Sequence, residues 1–183
     1  MLMNVALLIL RVVVGVLFMG HGAQKLFGVF GGPGPAGFAG WLQGLGLRPA
    51  RVWAIVAGIC EFGGGLLFAL GLITPISALA LLAVMLMAVA TVHWTKGLWV
   101  TNGGYEYNLV LSAVAAALAL AGPGIYALDY IFGIAWPEPA TFLIGLGVVI
   151  VGVSVALRGI PWALDAWARQ RWPGRMPSSG EAA

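Results

Sequence analysis

Apolar residues run along this chain in long blocks, separated by short glycine, proline and charged stretches. A block of about 20 apolar residues is long enough to cross a bilayer as a helix. Five such blocks are legible, over residues 4–30, 51–72, 75–94, 105–121 and 139–157. The stretch Gly31-Gly32-Pro33-Gly34-Pro35 is read as non-helical, and Phe38, Trp41 and Leu42 after it predict a short interfacial piece. Pro49 lies near the first turn of the second helix. Gly71-Leu72-Ile73-Thr74-Pro75 is so short a turn that the second and third helices must be antiparallel neighbours. Gly122-Pro123-Gly124 ends the fourth block, and residues 125–137 read as an aromatic, broken interfacial segment. Ile160, Leu164, Trp167 and Ala168 recur at helical spacing among basic residues, which predicts an amphipathic tail helix over 158–172. Residues 173–183 read as disordered.

Composition sharpens this pattern. Of 183 residues, 61% are hydrophobic and 8% charged, whereas a soluble domain is about 45–50% apolar and about 25% charged. Soluble globular, disordered, collagen-like and disulfide-scaffold classes are excluded, and an all-α membrane protein remains. Little chain is left for a separate soluble catalytic domain. The single cysteine, Cys60, allows neither an internal disulfide nor a cysteine metal cluster. The first block lacks a basic leader and is interrupted by Arg11, so it reads as a retained span.

The net charge of +3 is a topology signal here rather than a sign of nucleic-acid binding. Lys25, Arg48, Arg51, Lys96, Arg158, Arg169, Arg171 and Arg175 fall on one side if the chain crosses five times. That side is expected to be the cytoplasm, with the N-terminus outside and the C-terminus inside.

Ionisable groups inside spans are costly, about 2.5–3.5 kcal/mol each on insertion scales, and therefore informative. Arg11, His21, Lys25, Glu61, His93 and Glu106 lie within or at the ends of the first four blocks. At about 100° per residue, Arg11, His21 and Lys25 share one face of the first helix, which should point into the bundle. Arg11 and Glu61 are expected within one or two turns of each other in depth, close enough to pair.

Plainer readings stand beside these. An Arg11–Glu61 pair serves equally as a clasp that fixes helix packing. His21 and His93 fit helix ends bonded to carbonyls, and two histidines alone argue weakly for a metal or haem. Lys25 and Lys96 fit residues that snorkel to the surface. Glu106 fits a helix N-terminal acid, and Cys60 a small packing residue. Gly63, Gly64 and Gly65, with the small-residue pairs Ala54/Gly58 and Gly152/Ala156, fit close helix contacts. Trp94, Trp99, Trp136 and Trp162 fit belt positions. Convergence of six such groups favours a functional pocket more than any one of them does.

Arg11 followed by Gly20-His21-Gly22-Ala23-Gln24-Lys25-Leu26-Phe27-Gly28 resembles the DoxX family of small bacterial membrane proteins. The resemblance continues through Glu61-Phe62-Gly63-Gly64-Gly65, Gly71-Leu72-Ile73-Thr74, His93, Gly103-Gly104-Tyr105-Glu106, Gly122-Pro123-Gly124 and Leu128-Asp129, over about residues 4–130. It implies a four-helix transmembrane bundle. It also implies a link to quinol-oxidase, thiosulfate:quinone and thiol or oxidative-stress systems, or in a distant branch to membrane-protein assembly. Two departures weaken the likeness at the outer face: Pro75 stands where the family often has arginine, and Ile125-Tyr126-Ala127 replaces a segment with a basic residue and a serine.

The chain is thus expected to hold a four-span core at 1–130, an added span at 131–158, and a basic interfacial helix and tail at 159–183. The leading reading is an accessory or quinone-interacting subunit of a redox system in the bacterial cytoplasmic membrane. Glu61, His93 and Glu106 would relay protons. Arg11, His21, Lys25, Tyr105 and Asn108 would line the quinone site, with no metal. The expected partners are the bilayer and a membrane or cytoplasmic redox protein, with a homo-oligomer allowed and no nucleic acid. The competing reading is a non-enzymatic scaffold or assembly factor whose polar cluster is structural. A small transporter is disfavoured, because neither repeated halves nor helices broken at the midplane are visible.

Overall fold

The computed structural model describes residues 1–158, so the tail helix and disordered end expected beyond them lie outside the described residues. Seven α-helices follow in order: α1 Leu2–Phe27, α2 Gly34–Gly44, α3 Ala50–Leu70, α4 Thr74–Ala88, α5 Glu106–Ala121, α6 Leu128–Ile131 and α7 Ala140–Arg158. Among the described residues there is no strand. Four helices are long and apolar enough to span a membrane: α1, α3, α4 with its extension to Lys96, and α7. The fourth expected span, α5, has only 16 residues, about 24 Å of helix. It still runs the depth of the bundle, packed chiefly against α4.

Local chemistry sets the boundaries. Gly28 takes the left-handed conformation that ends α1, and Gly71 does the same for α3. The Gly/Pro stretch does not stay non-helical as expected. Pro35 sits in the first turn of α2, where a missing N–H costs nothing, so the helix starts at Gly34. Phe38, Ala39 and Leu42 of α2 then pack on the start of α3 with Leu47 and Ala54.

Small residues set the α1–α3 contact. A Cβ on Gly15 would meet the Gly65 carbonyl at 2.5 Å and Ala69 Cβ at 2.7 Å, and one on Gly22 would strike the Phe62 backbone. Backbones this close fix an antiparallel register. The main core gathers Val14, Phe18, Phe68, Leu81, Leu118 and Phe142 from five helices. α7 runs parallel to α4, with Gly145 against Leu79 and its far half facing Ala83 to Val92 across a groove. The N-terminus, the α3–α4 turn and residues 122–139 thus share one end of the bundle. The 28–49 and 97–105 connections and Arg158 share the other.

Candidate functional site

Depth in the bundle is decided by the α1–α3 register, and it separates residues that the sequence suggested would meet. Ala69, not Glu61, lies opposite Arg11. Ala69 is eight residues beyond Glu61, about 12 Å along the axis. The expected Arg11–Glu61 pair is therefore not formed.

Arg11 is 1% exposed. Its Nε donates to the Ala69 carbonyl at 3.1 Å, Nη1 to Pro123 at 2.9 Å and Nη2 to Tyr126 at 2.8 Å. One guanidinium thus ties α1 to the ends of α3 and α5. Glycine is required at position 71, because a Cβ there would overlap the Arg11 side chain. The carboxylate that attracts Arg11 is Asp129. Asp129 Oδ1 accepts from the Ile73 N–H at 2.7 Å, and Oδ2 accepts from the N–H and hydroxyl of Thr74, each at 2.8 Å. The Asp129 N–H donates to Gly71 at 2.8 Å. Asp129 therefore caps α4 from another segment, as an anion at a helix N-terminus should, and holds Ile73 at φ 46°, a costly conformation for a β-branched residue. Asp129 lies outside the site residues expected from sequence, although Leu128-Asp129 carries part of the family resemblance. Nothing local shows that its partners are 55 residues upstream.

The other acid, Glu61, is 2% exposed and forms an ion pair with Lys25. Glu61 Oε2 is buried without a hydrogen-bond partner among the described residues. Lys25 Nζ also lies 4.9 Å from the Phe38 ring centroid, so α2 covers the cation from above.

Lys25 faces a groove of about 420 Å³ between α2, α3, α4 and α7. Phe38, Trp41 and Trp53 wall it on one side, and Val149, Gly152 and Val153 of α7 on the other. Cys60 lines it, as does His93, whose Nδ1 lies 2.6 Å from the Gly103 carbonyl. A π-helical turn over Val89–His93 widens α4 where it borders the groove. Such turns occur frequently at functional sites.

The remaining expected site residues are dispersed. His21 is exposed on α1 rather than facing inward with Lys25. Glu106 accepts from the Val100 N–H at 2.9 Å and orders the 97–105 loop. Tyr105 stacks on Trp94 at 5.7 Å. Asn108 is buried and donates to Met85 Sδ at 3.3 Å. None of these four lines the groove. The six-group convergence expected from sequence thus resolves into a clasp at Arg11, a groove lined by Lys25 and His93 with Glu61 paired to Lys25, and separate loop contacts. No cluster of three or more His, Cys, Asp or Glu side chains suited to a metal occurs among the described residues.

Comparison with known proteins agrees with this architecture. The family profile described as DoxX matches residues 6–94, from α1 to the π-helical turn. Inner membrane protein YqjF of Escherichia coli (strain K12) is 28% identical over 133 residues, covering 73% of this chain and 96% of the relative. CatD of Bacillus subtilis (strain 168), whose name carries oxidoreductase as a conjectural activity, is 33% identical over 126 residues, covering 69% of this chain and 86% of the relative. No solved structure matches the chain significantly.

Proposed function

The chain belongs to the DoxX family, and from that premise we propose that it binds a quinone-class molecule as an accessory subunit of an inner-membrane redox system. The observation that carries this reading is the groove. It is an apolar, aromatic-walled cleft of about 420 Å³ with Lys25 and His93 among its few polar groups. That volume lies within the usual range for small-molecule sites, about 300–1,000 Å³, and a few placed polar groups in an apolar cleft are their usual chemistry.

A quinone, when bound, supplies a two-electron couple that takes up two protons. Lys25 Nζ is the donor for one carbonyl oxygen and is oriented by Glu61 behind it. His93 makes the second contact: its Nδ1–H donates to the Gly103 carbonyl, which leaves Nε2 of the neutral ring to accept from the quinol O–H. Glu61 joins the proton path through Lys25. Trp41 and Trp53 offer flat apolar surface to the ring. Electrons come from a partner redox protein. The names of the two relatives point the same way, one to the inner membrane and one to redox chemistry. We place the basic end, with Lys25, Arg48, Arg51, Lys96 and Arg158, in the cytoplasm by the positive-inside rule.

The test uses the full chain in detergent, titrated with a short-chain benzoquinone while tryptophan fluorescence is followed. Saturable quenching is expected, reduced in Trp41→Phe and Trp53→Phe. In the paired Lys25→Met/Glu61→Met variant the affinity should fall about ten-fold, the worth of one lost charged hydrogen bond. Quenching that is linear with quinone and identical in all variants would overturn the reading. The scaffold reading rests on a separate observation, the buried hydrogen bonds of Arg11 and of Asp129, which are all made to other parts of the fold.

A further inference from the structure

At the end of the bundle opposite the groove lies a second pocket, of about 270 Å³. Asn4, Thr74 and Pro75, residues 122–125, Asp129 and Tyr130 surround it, and Trp136 and Glu138 close it. The Asp129 carboxylate is already occupied by the α4 N-terminus. Glu138 differs. Both of its carboxylate oxygens are buried, and neither has a hydrogen-bond partner among the described residues. The indole Nε1 of Trp136 is likewise buried and unpartnered.

Buried polar groups are rarely left this way, since each loses its water and gains nothing. The two orphans are chemically complementary to one kind of molecule. Two carboxylate oxygens need N–H or O–H donors, and a carboxylate takes charged donors best. An indole N–H needs an acceptor. The lining includes the aromatic side chains of Trp136 and Tyr130, a residue type that favours an organic cation. A bare metal ion fits poorly, because an indole N–H is a donor and offers no ligand, and no set of three ligating side chains is present among the described residues.

We propose that this pocket binds a primary ammonium group, held by Glu138, on a molecule that also presents an oxygen acceptor to Trp136. Ethanolamine carries both functions. They occur free in small amino alcohols and, as ammonium and phosphate, in the phosphatidylethanolamine head group. A quaternary ammonium has the charge but no N–H for the orphaned oxygens, and is excluded from the class. The pocket is independent of the groove, since the two lie at opposite ends and share no lining residue.

The test follows thermal unfolding of the full chain in nanodiscs, because a ligand that binds the folded state raises its midpoint. In phosphatidylcholine nanodiscs, a saturable rise with free ethanolamine, absent with choline, identifies a free amine as sufficient. A rise seen only when phosphatidylethanolamine is incorporated identifies the lipid head group. Either supports the proposal. Glu138→Gln should weaken the response about ten-fold, and Trp136→Phe, which keeps the ring and removes the donor, about three-fold. The proposal is overturned if neither amine source shifts the midpoint, if choline acts as well as ethanolamine, or if Glu138→Gln responds like the wild type. Should Glu138→Gln fail to fold, the choline contrast on the wild type and the Trp136→Phe variant decide the matter.

Discussion

Single residues in this bundle carry unusual energetic weight, because Arg11, Glu61 and Asp129 are buried where water cannot screen them. Lys25 and Glu61 show the consequence most directly. Lys25 is 21% exposed and Glu61 3% by side chain. Removing one partner leaves the other buried and uncompensated, whereas removing both costs little. Lys25→Met should therefore destabilise by about 3–5 kcal/mol, the cost of breaking a buried pair. Lys25→Met/Glu61→Met should come within about 1 kcal/mol of the wild type, as apolar replacements of buried pairs often do. Denaturant unfolding in detergent measures both. Additive losses would show that the two side chains do not act as a pair. Arg11 is held differently. It has no carboxylate in direct contact, and three carbonyls take its donors. That an arginine within the first apolar block must point inward was legible in the sequence. Its partners were not, because backbone carbonyls carry no residue identity.

Among the helices, α1 and α3 are set by glycine. Gly15 and Gly65 bring the two backbones together, and a Cβ on Gly65 would meet the Gly15 carbonyl at 2.6 Å. The obstruction is backbone and cannot rotate away. Gly15→Ala should cost about 3 kcal/mol, at the upper end of overpacking effects. Gly152 on α7 is the internal control, since nothing lies within 4 Å of a Cβ there. Gly152→Ala should gain about 0.5–1 kcal/mol from helix propensity. Equal effects at the two positions, read by thermal unfolding, would mean that α1–α3 proximity does not limit stability. The run Gly63-Gly64-Gly65 announced close packing. Which helix it packs on, and at what register, followed only from the contacts. The π-helical turn at Val89–His93 was also invisible in sequence, because its residues fit an ordinary helix equally well.

The whole molecule has two chemically different ends, joined by a core that five helices build together. The basic end opens into the groove and the acidic end into the smaller pocket. α7 lies outside the residues matched by the family profile, yet it supplies one wall of the groove. Filling that wall should block the groove without disturbing the core. Gly152→Phe should leave the unfolding midpoint near that of the wild type while weakening quinone quenching by about ten-fold or more. Unchanged quenching would remove the groove as the binding site.

The hydrophobic blocks, and the cost of leaving backbone groups unpaired in lipid, determined from sequence alone that this is a helical membrane bundle. They also determined the approximate span boundaries and which charges must be costly. The motifs between Arg11 and Asp129 determined the family. Tertiary structure alone decided which of those charges meet. A charge in a span is obliged to find a partner, but the partner is chosen by register. Here the register is set by close glycine contacts that turn Glu61 towards Lys25 and leave Arg11 to three carbonyls from two segments, the end of α3 and the connection after α5. The orphaned Glu138 and Trp136 belong to the same class of outcome, since their burial depends on how residues 122–139 fold back over the ends of α1, α4 and α5.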